Sequence, residues 1–249
     1  MARGPMPRLL CLLAVSLLGG PAGAQALRWD VTVGFENTYK SGAWTPVFVD
    51  VSNDGGSQTG QILIPVARQG PSGAAWATNY VAPVELPMHS RKRFMLTVTS
   101  QKLENVYLNL SGARDKKQLG RLEEAAPEDT LVVAAGGDPG LLRFLRGTET
   151  AGTFAPPNPM GSSSAWRVGQ IVVGHAAWDA LPDSWLAWDG VDAVVLGDAG
   201  LARASQEAQD ALLQWLQLGG TLIVPGGALS LAMAASPIGR ILPIQVTGT

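Results

Sequence analysis

Three side chains suited to acid–base chemistry or metal binding follow short apolar runs in the second half of the chain. Asp138, His175 and Asp198 each come just after such a run, and Gly226 and Gly227 follow the last one. In open α/β sheets, ligands bind beyond the carboxyl ends of the strands. A carboxylate–imidazole–carboxylate set at that edge would supply a general acid and base, or a weak metal site. These five residues form the candidate pocket of the sequence.

A local interpretation competes with this pocket, and we favour it. Asp138 and Asp198 are expected to cap helices or turns, and His175 to be an ordinary loop residue, because strand ends commonly carry such residues for local reasons. Ser230 follows Gly226 and Gly227 without forming the G-x-S-x-G pattern of a hydrolase elbow. Glycines 136, 137 and 140 do not form a dinucleotide fingerprint. The sequence therefore predicts no catalytic residue, no metal and no cofactor.

Two further groups of residues raise alternatives. Trp178, Trp185 and Trp188 cluster before a predicted strand; such a cluster can line a carbohydrate or protein site, although packing over the sheet is commoner. The basic run Arg91–Arg93 is too short for a nucleic-acid patch, and we interpret it as the solvated edge of a strand.

Composition limits the class of protein. The chain has 249 residues, of which 46% are hydrophobic and 15% charged, so it can bury a core. Its net charge of −2 gives no bulk attraction for nucleic acid or anionic lipid. Its only cysteine is Cys11 and its only histidines are His89 and His175. This inventory excludes a disulfide framework, a thiolate zinc site and a His-rich metal cage.

The first 26 residues have the pattern of a secretory signal peptide. Arg3 and Arg8 precede the apolar run Leu9–Leu18, which ends at Gly19, and small-residue cleavage patterns end at Ala24 and Ala26. The run is shorter than the ~20 residues of a membrane span. We expect cleavage after Ala24 or Ala26 and export to the periplasm or cell envelope, the alternative being an uncleaved anchor.

The remainder divides into two predicted domains, 27–125 and 126–249. In the first, apolar residues alternate with polar ones, as Val47, Val49 and Val51 do, which is typical of an immunoglobulin-like antiparallel sandwich. In the second, continuous apolar runs suit a mainly parallel sheet, and Ser205 begins a helix that ends before Gly219. Charge changes at the same place: 27–125 carries 11 basic and 9 acidic residues, and 126–249 carries 5 and 11.

Several of these segments together resemble bacterial envelope proteins in which an immunoglobulin-like sandwich precedes a class I glutamine amidotransferase-like domain. The resemblance is carried by residues 44–49, 86–98, 181–198, 211–216 and 219–227. It implies that the second domain is an α/β, flavodoxin-like, three-layer domain. Such proteins often continue into membrane-spanning helices, so the resemblance also implies a fragment or a truncated relative. Membrane attachment would then depend on missing downstream helices or on an uncleaved signal.

The resemblance implies an amidotransferase-like domain that cannot hydrolyse glutamine. Active amidotransferases use a nucleophilic cysteine after a strand, whereas this sequence has Val224–Gly227 there and no cysteine after Cys11. We therefore expect an exported, non-catalytic binding or scaffolding protein whose partner is a protein or an envelope polymer, not nucleic acid. The alternatives are a hydrolase or metal-dependent enzyme using Asp138, His175 and Asp198, and a carbohydrate-binding module centred on the tryptophans.

Overall fold

A computed structural model describes residues 27–69, 75–99, 103–111, 113–150, 168–227 and 236–241. The predicted signal peptide and Ser230 lie outside the described residues. The described part forms strands β1 Leu27–Val33, β2 Thr38–Lys40, β3 Trp44–Asn53, β4 Gln58–Gln69, β5 Ala75–Leu86, β6 Ser90–Thr99, β7 Asn105–Leu110, β8 Ala113–Gln118, β9 Glu123–Ala125, β10 Thr130–Ala135, β11 Ile171–Ala176, β12 Ala193–Leu196 and β13 Thr221–Ile223, with helix α1 Gln206–Gln217.

Two antiparallel sheets enclose the first core. One has the strand order β1-β3-β6 and the other β5-β4-β7-β8. Alternation places one side of each strand inside: Val47, Val49 and Val51 of β3 are at most 2% exposed. They pack with the inward residues of the opposite sheet, including Ile62 and Ile64 of β4. Burying one face of each sheet is what fixes the strand registers.

The second core lies against a four-stranded parallel sheet with the order β11-β10-β12-β13. One face of this sheet packs against α1 and against short 3-10 helices at Trp178–Ala180, Trp185–Trp188 and Gly200–Arg203. Helix α1 begins where the sequence predicts, because the Ser205 side chain accepts a hydrogen bond from the Ala208 amide at 3.1 Å. Its buried side chains include Leu212 and Trp215.

The prediction of a flavodoxin-like, amidotransferase-like three-layer domain is wrong. Strands make up 50% of the structure and helical residues 17%, and α1 is the one α-helix of the described residues. Among the described residues, the connection from β12 to β13 is the one between parallel strands that contains an α-helix. From β11 to β12 the chain forms two 3-10 helices, and Pro182 and Gly190 lie in this connection. Because proline and glycine disfavour a continuous helix, no helical layer forms there.

The chain around residue 125, where the two predicted domains meet, takes part in strand pairing. The charged run from Arg114 to Asp129 contains β8, which pairs with β7, and β9, which pairs in parallel with β2. The chain thus returns to its own beginning before it enters the parallel sheet at Thr130.

A tight turn at residues 35–38 joins the two cores. The Phe35 and Thr38 backbones bond to each other in both directions, while Glu36 and Asn37 have φ of 53° and 65°. Phe35 leaves the sandwich and packs against Trp188, with ring centroids 5.2 Å apart. A side chain at Gly174 would meet the Phe35 Cβ at 2.8 Å, so this close approach requires glycine.

Polar contacts reinforce this junction. Lys40 Nζ binds Asp192 at 2.8 Å, and the same carboxylate accepts the Leu131 amide at 2.7 Å. Asp189 accepts the Trp44 amide at 3.1 Å. The two halves are therefore held by apolar and polar contacts together. Within the described residues, no helix combines the length and the apolar character that crossing a membrane requires.

Candidate functional site

A cleft of about 270 Å³ opens at the carboxyl ends of the parallel strands. Gly136 and Gly137 directly follow β10, His175 lies near the end of β11 and Trp178 just after it, and Asp198 follows β12. Its other lining residues are Ala177, Asp179 and Arg203. The parallel arrangement brings these segments together because all the strands point to the same edge.

Asp198 is the centre of a dense hydrogen-bond network. Its Oδ1 accepts from the Trp178 indole at 2.5 Å and from the Gly200 amide at 2.6 Å. Its Oδ2 accepts from the Gly137 amide at 2.9 Å and from Arg203 at 3.0 Å. Gly136 allows this network, since a Cβ there would lie 2.0 Å from the Trp178 indole nitrogen.

These donors fix the charge of Asp198. Burial raises the pKa of its carboxyl, but the hydrogen bonds from Trp178, Gly200, Gly137 and Arg203 together outweigh burial and hold the pKa below its usual range. A carboxylate with so many donors stays ionised and has little capacity to give or accept a proton at neutral pH. Asp198 is therefore a structural anion that ties the loops after β10, β11 and β12 to one another.

His175 is buried and faces the junction between the two halves. It is 7% exposed, and its Nδ1 lies 3.0 Å from Glu36 Oε1. Its Nε2 is also buried and has no hydrogen-bond partner among the described residues. His175 is therefore not the ordinary loop residue we expected: it is the last but one residue of β11 and contacts the turn that joins the cores.

The other predicted pocket residues lie elsewhere. Asp138 is exposed, and its Oδ1 accepts the Gly140 amide at 2.8 Å, so it stabilises its own turn. Gly226 and Gly227 are exposed beyond β13, and a Cβ on either would meet nothing within 4 Å. None of these three residues lines the cleft, whereas His175 and Asp198 do.

The tryptophan cluster is mainly core. Trp178 and Trp188 are 2% and 0% exposed, and only Trp185, at 40%, reaches the surface. Two of the three rings are thus covered by protein, and Trp185 is the member of the cluster whose ring is open to a ligand.

Sequence reasoning missed Glu36 and Arg203. Glu36 lies 139 residues from its partner His175 and carries no local signal apart from its place in a turn. Arg203 could have been found, since it stands five residues after Asp198 and neutralises it. None of the residues that line the cleft carries a hydroxyl or thiol nucleophile. Within the described ranges, no three His, Cys, Asp or Glu side chains gather as metal ligands.

Comparisons with known proteins find one domain family and a few distant structural neighbours. A domain family of unknown function, DUF8726, matches residues 26–120. No curated protein matches this chain. Among solved structures, β-glucosidase from Listeria innocua in complex with isofagomine is 12% identical, with a TM-score of 0.26 over 39% of this chain and 16% of that one. Spo0M, a sporulation control protein from Bacillus subtilis, is 12% identical, with a TM-score of 0.24 over 40% and 49%. The chain thus spans less than half the length of these neighbours.

Proposed function

We propose that this chain is a non-enzymatic binding or scaffolding protein exported to the cell envelope, with a protein or an envelope polymer as its partner. The proposal is carried by Asp198. The one predicted acid that lies in the strand-end cleft is bound by four groups of the protein itself, and it is ionised.

The rest of the cleft supports the same role. Asp138 bonds to the Gly140 amide and does not line the cleft. A covalent mechanism of the serine or cysteine type needs a hydroxyl or thiol beside a base, and the cleft lining contains neither group. A scaffold, in contrast, needs parts held in fixed relation, and the contacts of Phe35, Lys40 and Trp44 with the parallel-sheet half supply that.

His175 gives the enzymatic alternative its best support. An imidazole with a carboxylate on Nδ1 has the arrangement of an oriented general base, and its Nε2 is unpartnered among the described residues. Since Nε2 is buried, a substrate would have to displace protein atoms to reach it.

Hydrolysis assays separate the two roles. Purified protein and the variant His175→Ala are incubated with generic ester, amide and glycoside substrates. We expect both to match a no-protein control. A saturable rate that His175→Ala abolishes, while circular dichroism shows both proteins folded, would establish the enzyme and reject our proposal.

Export is tested on the protein in its cell. Fractionation followed by N-terminal sequencing should recover chains that begin at Gln25 or Leu27 in the envelope fraction. Recovery of chains that begin at Met1 and remain in the cytoplasm would contradict the proposal.

A further inference from the structure

We propose that the outer face of the sheet β1-β3-β6 binds the phosphate group of a small phosphorylated molecule, between Arg28 and Arg91. This inference names a ligand class for the proposed binding function and rests on that function only for its biological role. The binding site is a cleft of about 670 Å³ between this face and the 3-10 helix that carries Asp179.

The strand registers bring the two arginines together. Arg28 of β1 pairs with Ser52 of β3, and Ser52 pairs with Arg91 of β6. All three lie on the outward side, because the alternating row contains Val51, which is 2% exposed, and Trp29, and both pack in the sandwich core. Adjacent strands are about 4.8 Å apart, so the two arginines flank Ser52 at about 10 Å from each other. Long side chains at this spacing can converge over the hydroxyl.

The next outward row consists of Asp30, Asp50 and Arg93, and both of its carboxylates are paired with basic side chains. Asp50 is held by Arg93 in two hydrogen bonds of 2.7 and 3.0 Å. Asp30 binds Lys117 at 2.5 Å, and this hydrogen bond lowers the pKa of Asp30 despite partial burial. Arg93 also reaches the backbone oxygen of Asp179 at 3.1 Å. These carboxylates therefore do not neutralise the row above them.

Arg28 and Arg91 have no carboxylate partner within the described part of the chain. The Arg91 side chain makes one long contact, 3.4 Å from Nε to the Ser52 hydroxyl, and both arginines are exposed. Asp54, which directly follows β3, also lines the cleft, and its carboxylate makes no hydrogen bond or ion pair among the described residues. The row thus presents two guanidinium groups and a hydroxyl, all of which can donate hydrogen bonds.

The donor set favours phosphate over carboxylate. Two guanidinium groups and a hydroxyl offer more hydrogen-bond donors than the two oxygens of one planar carboxylate can accept. A tetrahedral phosphate can accept hydrogen bonds from all three groups at once. The cleft also exceeds a bare phosphate and falls in the usual size range of small-molecule sites. A phosphate ester such as a sugar phosphate fits this description.

Binding is tested by titration of the purified chain with glucose 1-phosphate, inorganic phosphate and glucose, followed by calorimetry and by NMR shifts of the backbone amides. We expect saturable binding of both phosphates, shifts centred on residues 28, 52 and 91, and no binding of glucose. The double variant Arg28→Gln/Arg91→Gln should weaken binding at least ten-fold, because two charge-assisted hydrogen bonds are lost. The matched control Arg121→Gln/Arg143→Gln alters two exposed arginines outside the cleft and should bind as the unaltered chain does.

A variant that gains affinity serves as a control, because a gain of phosphate binding cannot result from misfolding. Asp54→Asn removes the uncommitted carboxylate and should tighten phosphate binding about two-fold by relief of charge repulsion. Absence of saturable phosphate binding, or equal weakening in the control variant, would overturn the inference and leave the non-enzymatic role untouched. Release of phosphate from a bound sugar phosphate would instead refute the non-enzymatic role while the binding site stands.

Discussion

Replacing Phe35 by alanine should uncouple the two halves of the molecule. Phe35 is 4% exposed and belongs to the core of the parallel-sheet half, although it is carried by the turn after β1. Its ring contacts Trp188, which in turn lies 5.8 Å from Trp215. The truncation therefore leaves a cavity beside two large rings in the second core and none in the sandwich core.

The expected cost follows from this burial. Truncating a buried phenylalanine to alanine costs about 3–5 kcal/mol, the sum of lost transfer energy and an unfilled cavity. Little relaxation is available, because Gly174 contacts the Phe35 Cβ region closely and the strand behind it is paired. We expect the free energy of unfolding of the parallel-sheet half to fall by about 3–4 kcal/mol.

Urea unfolding followed by two probes measures this loss. Tryptophan fluorescence reports mainly on the parallel-sheet half, since five of the eight tryptophans, Trp188 and Trp215 among them, follow residue 126 and the other three belong to the sandwich half. The far-ultraviolet signal is dominated by strands of both halves. In the Phe35→Ala variant, the fluorescence transition should move to lower urea and separate from the far-ultraviolet transition. The control is Phe144→Ala, at a ring that is 77% exposed. A loss below 1 kcal/mol, or transitions that remain coincident, would refute the argument that Phe35 joins the two cores.

Three further substitutions test single contacts. Asp198→Asn should destabilise the protein by about 1–2 kcal/mol at pH 7. Because the folded-state pKa of Asp198 is lowered, this loss of stability should persist above about pH 4 and disappear as the pH falls through the folded pKa. Urea titrations of both proteins at successive pH values measure it. Gly174→Ala should cost about 1–3 kcal/mol by overpacking, since the new Cβ would lie 2.8 Å from the Phe35 Cβ and 3.2 Å from its carbonyl oxygen. Phe35→Ala keeps both of these atoms and should not rescue the loss, as a double-mutant cycle would measure. Ser205→Ala should cost about 1 kcal/mol through loss of the α1 cap, whereas Ser184→Ala, at a 3-10 helix whose N-cap side chain makes no capping bond, should be near neutral in thermal unfolding.

Local patterns predicted individual elements well. The alternation of Val47, Val49 and Val51 places them on the inside of β3, and Ser205 caps α1. Each of these two patterns involves residues only a few positions apart, so it can be recognised in a single sequence. The short apolar runs likewise became parallel strands, as at Leu131–Ala135 of β10.

What failed depended on distant residues. A continuous apolar run predicts a buried strand but does not indicate which element covers it. The three-layer domain was implied by the resemblance to amidotransferase-like proteins, and its helical layers are absent from the described residues. The contact of Glu36 with His175 and that of Lys40 with Asp192 join residues 139 and 152 positions apart. Asp138 and Asp198 look alike as acids after apolar runs, yet one bonds within its turn and the other to three loops.

The turn at residues 35–38 has a consequence for how the chain is made. Synthesis delivers the N-terminal end first, so the sandwich strands are complete before α1 and β13 exist. Until then Phe35, Phe48 and the inner edge of the junction have no cover, although Phe48 is only 6% exposed in the finished fold. Since contacts across such long separations form slowly, apolar surface at this turn stays uncovered in the nascent chain until the parallel-sheet half has folded.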